Sequence, residues 1–172
     1  MGEIIPHTIT ILKTTLNRWS DMVGNIPEEL MTQKPIEGEW SAEECLQHLI
    51  DTEQWVFPSR VRAFLESEDF PAFDPLSQGT VGKVQKQAGE LIAEFAQLRD
   101  ESLLLLQTLS SQDLSRKAIH QELGEVSLEE MLNEWAAHDL VHTIQAERAL
   151  MQPFIKGCGP WKQYFLDHTI IA

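Results

Sequence analysis

Four long stretches of this chain carry apolar residues at intervals of three and four positions, and this spacing constrains the fold more than any other feature of the sequence. Such intervals place side chains on one face of an α-helix, as they do for Leu12, Leu16 and Trp19 in the first stretch. Alternating strand patterns and Asn-Gly or Asp-Gly hairpin turns are absent from the sequence. The sequence therefore predicts an all-α fold, a four-helix bundle with a short C-terminal helical tail. The four helices are expected at about residues 7–23, 41–66, 80–109 and 127–150.

Residues that satisfy or remove backbone donors mark the ends of the predicted helices. The second helix begins with Ser41 and Glu44, the spacing of a capping box, and the fourth begins with the same Ser and Glu pair. Pro58 is expected to kink or break the second helix, and Pro153 to stop the fourth. Residues 70–75 cannot continue a helix, because each Pro removes a donor and restricts the residue before it. They are predicted to form a long connection, and such connections often carry function.

Length and charge exclude several classes of protein. With 172 residues and no convincing Pro/Gly/Ser-rich linker, the sequence predicts one domain over residues 1–172. Thirteen Lys and Arg face 27 Asp and Glu, a formal net charge of -14, so nucleic acid and anionic membranes would be repelled. The first residues lack a basic leader region, and no apolar run approaches the ~20 residues of a membrane span. We expect a soluble, cytoplasmic protein with no nucleic-acid or membrane partner.

Three histidines form a candidate metal site. His138 and His142 are four residues apart on the predicted fourth helix, so both imidazoles lie on nearly the same face and can approach one ion. His48, on the second helix, offers a third ligand, and three imidazoles leave open positions on a divalent metal, as in catalytic sites. By itself a pair of helical histidines is more often exposed or hydrogen-bonded than bound to metal, and that alternative stays open.

Three polar residues near these histidines are candidates for a catalytic role. Asp51 lies one turn after His48 and Glu134 one turn before His138, so either can accept a hydrogen bond from a metal-binding imidazole or act as a general base. In so acidic a chain, a solvated position on a helix face is the alternative for both. Gln145 follows His142 by three residues and can hydrogen-bond to a ligand or to water, or else pack within the bundle.

The cysteines and tryptophans have simpler interpretations. Cys45 and Cys158 lack CxxC spacing and are read as reduced thiols. Cys45 lies three residues before His48, so it is a candidate fourth ligand or nucleophile, with a small buried apolar residue as the alternative. The five tryptophans are predicted to pack in the core and between helices. The tail, residues 157–166, is predicted to be a turn and a short helix that packs its aromatic side chains onto the bundle.

Two short motifs resemble those of the DinB-like (DinB/YfiT) superfamily of metal-binding four-helix-bundle proteins. One motif is Trp40-Ser41 followed by Glu44 and His48, and the other is His138-Asp139-x-x-His142-x-x-Gln145-x-x-Arg148. The closing Gly159-Pro160-Trp161 is similar to tails seen in that family. The resemblance covers most of the chain in layout, although it depends on these short motifs.

The resemblance implies both a cofactor and a class of activity. Its metal-binding roles fall on His48, His138 and His142, with nickel or zinc as the ion and a homodimer as the assembly. It implies a metal-dependent hydrolase, or a transferase that joins a low-molecular-weight thiol to a small-molecule substrate. The alternative is a non-catalytic, stress-associated homodimeric bundle that binds a metal or a partner.

Overall fold

The computed structural model describes residues 3–70 and 86–171, and its long helices confirm the predicted all-α bundle. In chain order the elements are α1 (Ile4–Asn25), α2 (Glu28–Thr32), α3 (Ala42–Trp55), α4 (Phe57–Glu66), α5 (Ala88–Gln107), a 3-10 helix (Asp113–Ser115), β1 (Lys117–His120), β2 (Gly124–Ser127), α6 (Leu128–Gly157) and a second 3-10 helix (Gly159–His168). Within the described residues, no helix is both long enough and apolar enough to cross a membrane.

The helices pack so that α3 and α6 face each other along one side of the bundle. Both α1 and α3 pack along α5 and α6, which places α1 and α3 diagonally opposite. Thr8 donates to the Leu132 carbonyl, and further along the two helices Arg18 pairs with Glu147, so α1 and α6 run parallel. Contacts of His48 with His142 and of Phe57 with Trp135 show that α3 and α4 run antiparallel to α6.

The predicted second and third helices are confirmed with changes in their bounds. The second is broken at Val56 into α3 and α4, with Pro58 in the first turn of α4. At that position the missing N–H has no intrahelical partner to lose, so Pro58 sets the break as expected. The third helix begins at Ala88, capped by Gln87, so the prediction that residues 86 and 87 are helical is wrong. Residues 80–85 of the predicted helix, and residues 71–75 of the predicted connection, lie outside the described residues.

Both predicted capping boxes are present, whereas the predicted end of the last helix is wrong. The Ser127 side chain caps the backbone N–H of Glu130, and the Glu130 carboxylate accepts from the Ser127 N–H at 2.7 Å. α6 continues through Pro153 to Gly157. The Gln152 side chain donates to the Arg148 carbonyl at 2.6 Å, next to the Ala149 carbonyl that Pro153 leaves without its helical donor.

A small antiparallel hairpin corrects the expectation that the chain forms no strands. β1 and β2 pair from Lys117 with Ser127 to His120 with Gly124. The connection has three residues, 121–123, and β2 then begins at Gly124 with φ 77°, a left-handed conformation that glycine adopts without strain. The Asn-Gly and Asp-Gly turns, whose absence argued against strands, belong to two-residue hairpins, which are a different type. His120, expected in a loop, ends β1 and accepts the Glu122 and Leu123 N–H groups through Nδ1.

The C-terminal tail forms a short 3-10 helix as predicted, but its aromatic side chains do not pack onto the bundle. Trp161 is 66% exposed and Tyr164 is 72% exposed. The tail is instead attached to α6 by polar contacts of Gln152, which donates to the His168 carbonyl and accepts from the Ile170 N–H, each at 3.0 Å. A polar attachment leaves the tail's aromatic faces in solvent.

A buried polar network lies between two apolar halves of the core. One half includes Phe57, Leu103 and Trp135, and the other includes Trp19, Leu49 and Phe95. Between them, four helices contribute to one set of hydrogen bonds and ion pairs: α1 by Thr15, α3 by Glu53, α5 by Arg99 and α6 by Asp139.

The charges in this network compensate one another. Arg99 is 0% exposed, and its Nη1 and Nη2 atoms donate to the two Asp139 carboxylate oxygens at 2.8 and 3.1 Å. Its Nε lies 3.0 Å from Glu53 Oε1, and Thr15 donates to Asp139. Burial raises the pKa of Glu53 to about 7, although the Arg99 charge opposes that shift. Each carboxylate therefore depends on the same guanidinium.

Replacing Arg99 by Met should destabilise the protein strongly. The substitution leaves Asp139 and Glu53 buried without a cation, a loss that typically costs about 3–5 kcal/mol in the free energy of unfolding. The matched control is Arg18→Met, which removes the more exposed pair with Glu147 and should cost about 1 kcal/mol or less. Urea unfolding followed by circular dichroism measures both. Equal losses for the two variants would contradict a central role for Arg99.

Candidate functional site

The structure brings the three predicted histidines together between α3 and α6. His48, His138 and His142 each offer one ring nitrogen, and these atoms all lie within 4.8 Å of one another. His48 Nε2 and His138 Nε2 are 3.1 Å apart. The two α6 histidines are one helical turn apart, with ring centroids at 4.5 Å, so they meet His48 from the same side. All three side chains are half-buried.

The spacing of two of these nitrogens fits a shared divalent metal. Two nitrogens bound to one ion at about 2.0–2.1 Å lie about 2.9–3.4 Å apart for bond angles between octahedral and tetrahedral values. The observed 3.1 Å between His48 and His138 lies within that interval. Two neutral imidazoles that share a hydrogen bond have a similar spacing, and the third imidazole beside them is what favours an ion. Imidazole nitrogen is a ligand suited to zinc and nickel.

Gln145 orients one of the three rings. His142 Nδ1 lies 2.9 Å from Gln145 Oε1, and an amide oxygen can only accept, so in this arrangement Nδ1 carries the proton. His142 Nε2 is then left with a free lone pair. Among the roles open to Gln145 from the sequence, the structure shows the hydrogen bond to a candidate ligand. Such a partner on the second ring nitrogen is typical of metal-binding histidines.

Burial holds the three imidazoles in the form that can bind a metal. Loss of solvent lowers the pKa of His48 to about 4, with a further contribution from His142. Burial likewise lowers the pKa of His138 to about 3, and the nearby His142 and His48 add to the shift. Burial also lowers the pKa of His142, against the opposing hydrogen bond to Gln145. Neutral imidazoles at neutral pH are the ligands that a divalent cation requires.

Aromatic rings enclose the histidines on two sides, and sequence reasoning did not place them there. The Trp40 ring is stacked on His142 with centroids 5.7 Å apart and lies 5.0 Å from His48, and it is 36% exposed. Phe57 meets the edge of His138 at 5.1 Å and stacks on Trp135. The available signal for Trp40 was its place directly before the capped start of α3.

The two candidate carboxylates lie in different surroundings. Asp51 is buried on a face of α3 that lines a separate cavity of about 560 Å³, together with Gln47 and residues of α5. Glu134 lies one turn before His138 on α6. Partial desolvation raises the pKa of Glu134, although the residue as a whole is exposed, and the charge of Arg60 opposes that rise. A carboxyl with a raised pKa one helical turn from His138 is suited to proton transfer.

The cysteines are free thiols, in agreement with the sequence interpretation. Cys45 is completely buried in the apolar core beside Trp19 and Leu46. Burial raises its pKa to about 12, with an added contribution from the Glu44 charge, so the side chain is a neutral thiol at neutral pH. These properties favour the small buried apolar residue over a ligand or nucleophile. Cys158 is half-buried and donates to the Ile155 carbonyl.

Comparison with known proteins identifies both a family and a fold. The DinB superfamily model matches residues 11–146. A solved structure of YfiT from Bacillus subtilis, a probable metal-dependent hydrolase with an unusual four-helix bundle topology, matches with a TM-score of 0.72 and 17% identity over 87% of each chain. No curated protein matches the sequence.

A second kind of solved structure is similar over most of this chain. A mycothiol-dependent maleylpyruvate isomerase matches with a TM-score of 0.64 and 11% identity over 83% of this chain. A variant of the same enzyme matches with a TM-score of 0.66. The matched region spans 60% of the length of that isomerase. At these identities the likeness to solved structures shows a shared fold.

In protein stripped of metal by a chelator, His48 and His138 should stay neutral well below pH 6. In the folded protein the pKa values of both rings lie below the unfolded value of about 6.5. Both rings therefore contribute to the free energy of unfolding above pH 6.5, and this contribution is lost as the pH falls toward about 4 for His48 and about 3 for His138. Histidine ring NMR signals followed between pH 7 and 3 measure this directly, with the urea-unfolded chain as the control. Titration of both rings near pH 6.5 would contradict the burial argument.

Proposed function

Since this chain belongs to the DinB superfamily, we propose that it is a metal-dependent enzyme acting on a small molecule. His48, His138 and His142 would hold one divalent ion, nickel or zinc, and leave positions open for water or substrate. The proposed reaction is transfer of a low-molecular-weight thiol to an electrophile. Metal-assisted hydrolysis is the second candidate, which the likeness to YfiT, itself a probable metal-dependent hydrolase, supports.

The observation that carries this proposal is the convergence of three half-buried, neutral imidazoles. Placing three imidazoles together away from water costs free energy unless other groups compensate them. A divalent cation compensates all three lone pairs at once. Gln145 supports the same conclusion because it fixes the His142 tautomer that leaves Nε2 free.

The surrounding residues suit catalysis as well as binding. A divalent ion there would act as a Lewis acid that polarises a carbonyl or lowers the pKa of a ligated water or thiol. Glu134, with its raised pKa, is the proposed proton acceptor or donor for the reacting group. Trp40 presents a partly exposed aromatic face beside His48 and His142, against which a substrate can pack.

The comparisons support the thiol-transfer reaction. The maleylpyruvate isomerase of the same fold is mycothiol-dependent, so the fold can serve a thiol-dependent reaction.

The free state of Cys45 and Cys158 supports a reducing compartment, and we propose that the protein is cytoplasmic. The rival, a non-catalytic bundle that binds metal or a partner, differs in that it would not turn over a substrate.

His142→Ala should abolish metal retention and turnover while helicity stays largely intact, because the apolar stripes rather than the ion supply most of the stability of the bundle. Gln145→Leu should lower metal affinity by about 10–100-fold through loss of ring orientation. The matched control is His7→Ala, which removes an exposed imidazole on α1. The measurements are elemental analysis, circular dichroism, and turnover of a panel of electrophiles with a small thiol.

Three outcomes of this experiment would contradict parts of the proposal. An unfolded His142→Ala protein would indicate that the metal is required for folding rather than for catalysis alone. Unchanged turnover in a folded, metal-free variant would place the chemistry elsewhere. Full metal content with no turnover of any electrophile or ester would favour the non-catalytic rival.

We also propose that the protein is a homodimer, joined through aromatic residues that the monomer leaves in solvent. Phe154 at the end of α6, together with Trp161, Tyr164 and Leu166 of the tail, is largely exposed. Aromatic residues are enriched at protein interfaces, where a few of them carry most of the binding energy. A second copy of this chain is the partner we assign to these residues.

Replacing Trp161 and Tyr164 together by Ser should shift the protein from dimer to monomer. Loss of two aromatic anchors typically costs about 2 kcal/mol or more, equivalent to at least about 30-fold in the dissociation constant. Leu123→Ser, at an exposed site in the hairpin turn, is the matched control. Sedimentation velocity at micromolar concentrations measures the effect. Wild-type protein that sediments at its monomer mass of 19.6 kDa would exclude the dimer.

A further inference from the structure

A cavity adjoins the histidine cluster on the opposite side of Gln145. It has a volume of about 450 Å³ and lies between α6 and the end of the tail. Gln145 lines this cavity and also hydrogen-bonds to His142. Glu39, which lines another part of the cavity, directly precedes Trp40, and the Trp40 ring stacks on His142. The cavity therefore contacts the histidine cluster through Gln145, and its Glu39 is the chain neighbour of Trp40.

The walls of the cavity combine apolar side chains with two charges of opposite sign. Val141, Ile144 and Arg148 recur at three- and four-residue steps, so they share one face of α6. Ile170 and Ile171 of the tail form the facing wall. The tail is held in this position by Gln152, as described above. Polar and apolar residues contribute about equally to the lining, and the volume lies within the range of small-molecule sites.

Within the part of the chain that the structure describes, neither charge in the cavity is paired with another side chain. Arg148 Nε has no solvent exposure and no hydrogen-bond partner within the described residues. Within the same residues, no carboxylate pairs with the Arg148 guanidinium and no cation pairs with Glu39. The two groups also do not pair with each other, although both line one cavity. A buried donor without an acceptor is uncommon in native proteins and calls for a physical cause.

We propose that this cavity binds a small zwitterion, with its carboxylate on Arg148 and its ammonium group on Glu39. A guanidinium binds a carboxylate through two parallel hydrogen bonds, which would satisfy the unpartnered Nε. The apolar side chains between the two charges contact the body of the ligand. This inference deepens the proposed function, because it assigns a substrate class to the same site and takes the ligand to reach the histidines past Gln145.

Four dipeptide probes separate the two charges from the thiol. Cysteinylglycine carries both charges, its C-terminal amide carries only the ammonium group, and N-acetyl-cysteinylglycine carries only the carboxylate. Serylglycine carries both charges and no thiol. Calorimetric titration of the purified protein, with whatever metal it retains, should give the tightest binding for cysteinylglycine, by at least about tenfold over either singly charged peptide. Serylglycine should also bind more tightly than both.

Two charge-removing variants test the assigned contacts. Arg148→Gln should weaken the carboxylate-bearing peptides about tenfold or more and leave the C-terminal amide unchanged, whereas Arg148→Lys should have an intermediate effect. Glu39→Gln should weaken the ammonium-bearing peptides and leave the N-acetyl peptide unchanged. The matched controls are Lys156→Gln, at an exposed site on α6, and Glu37→Gln, at an exposed site two residues before Glu39. Neither control should change any affinity.

The outcomes distinguish this inference from the metal proposal. Two results support the cavity proposal even if the metal proposal fails. One is charge selectivity that persists in the His142→Ala protein, and the other is tighter binding of serylglycine than of both singly charged peptides. A protein that retains metal but binds all four peptides equally, or binds none, overturns the cavity proposal alone. Equal weakening of every peptide by Arg148→Gln would also overturn it, because that result indicates a general electrostatic effect.

Discussion

Arg99 lies fully buried between Asp139 and Glu53, and these charges are stable in the core only while they compensate one another. Because each partner comes from a different helix, with Thr15 of α1 as the fourth, the network fixes how all four helices approach at mid-height. Apolar packing above and below it tolerates substitutions that conserve volume and pattern. We regard this polar layer as the constraint that sets the register of the bundle.

The histidine cluster depends on that register. Asp139 directly follows His138 in α6, so the helix face that Arg99 holds inward determines where the neighbouring His138 and His142 side chains lie. On the other side, the capping box at Ser41 fixes the start of α3 and thereby the height of His48. Helices held at two independent points present three imidazoles within 4.8 Å without help from a loop.

Sequence reasoning predicted the parts of this account that depend on local patterns. The three- and four-residue apolar spacing predicted the helices, and the four-residue step from His138 to His142, with His48 and the family resemblance, predicted which histidines meet. Local sequence patterns do not predict which buried side chains pair across helices. Arg99 interrupts an apolar stripe between Phe95 and Leu103, a signal of a buried charge, but no local pattern identifies its partners. Trp161 has the composition of a core residue, and only the packing of the tail shows that it stays exposed.

The most direct test of the central claim is X-ray absorption spectroscopy at the edge of the metal that the purified protein retains. The account predicts about three nitrogen ligands at about 2.0–2.1 Å with the multiple-scattering features of imidazole. His142→Ala protein purified in the same way should have lost the metal and with it this shell of imidazole nitrogens. A shell of sulfur at about 2.3 Å, a shell of oxygen without imidazole, or a spectrum unchanged in the variant would contradict metal binding by His48, His138 and His142.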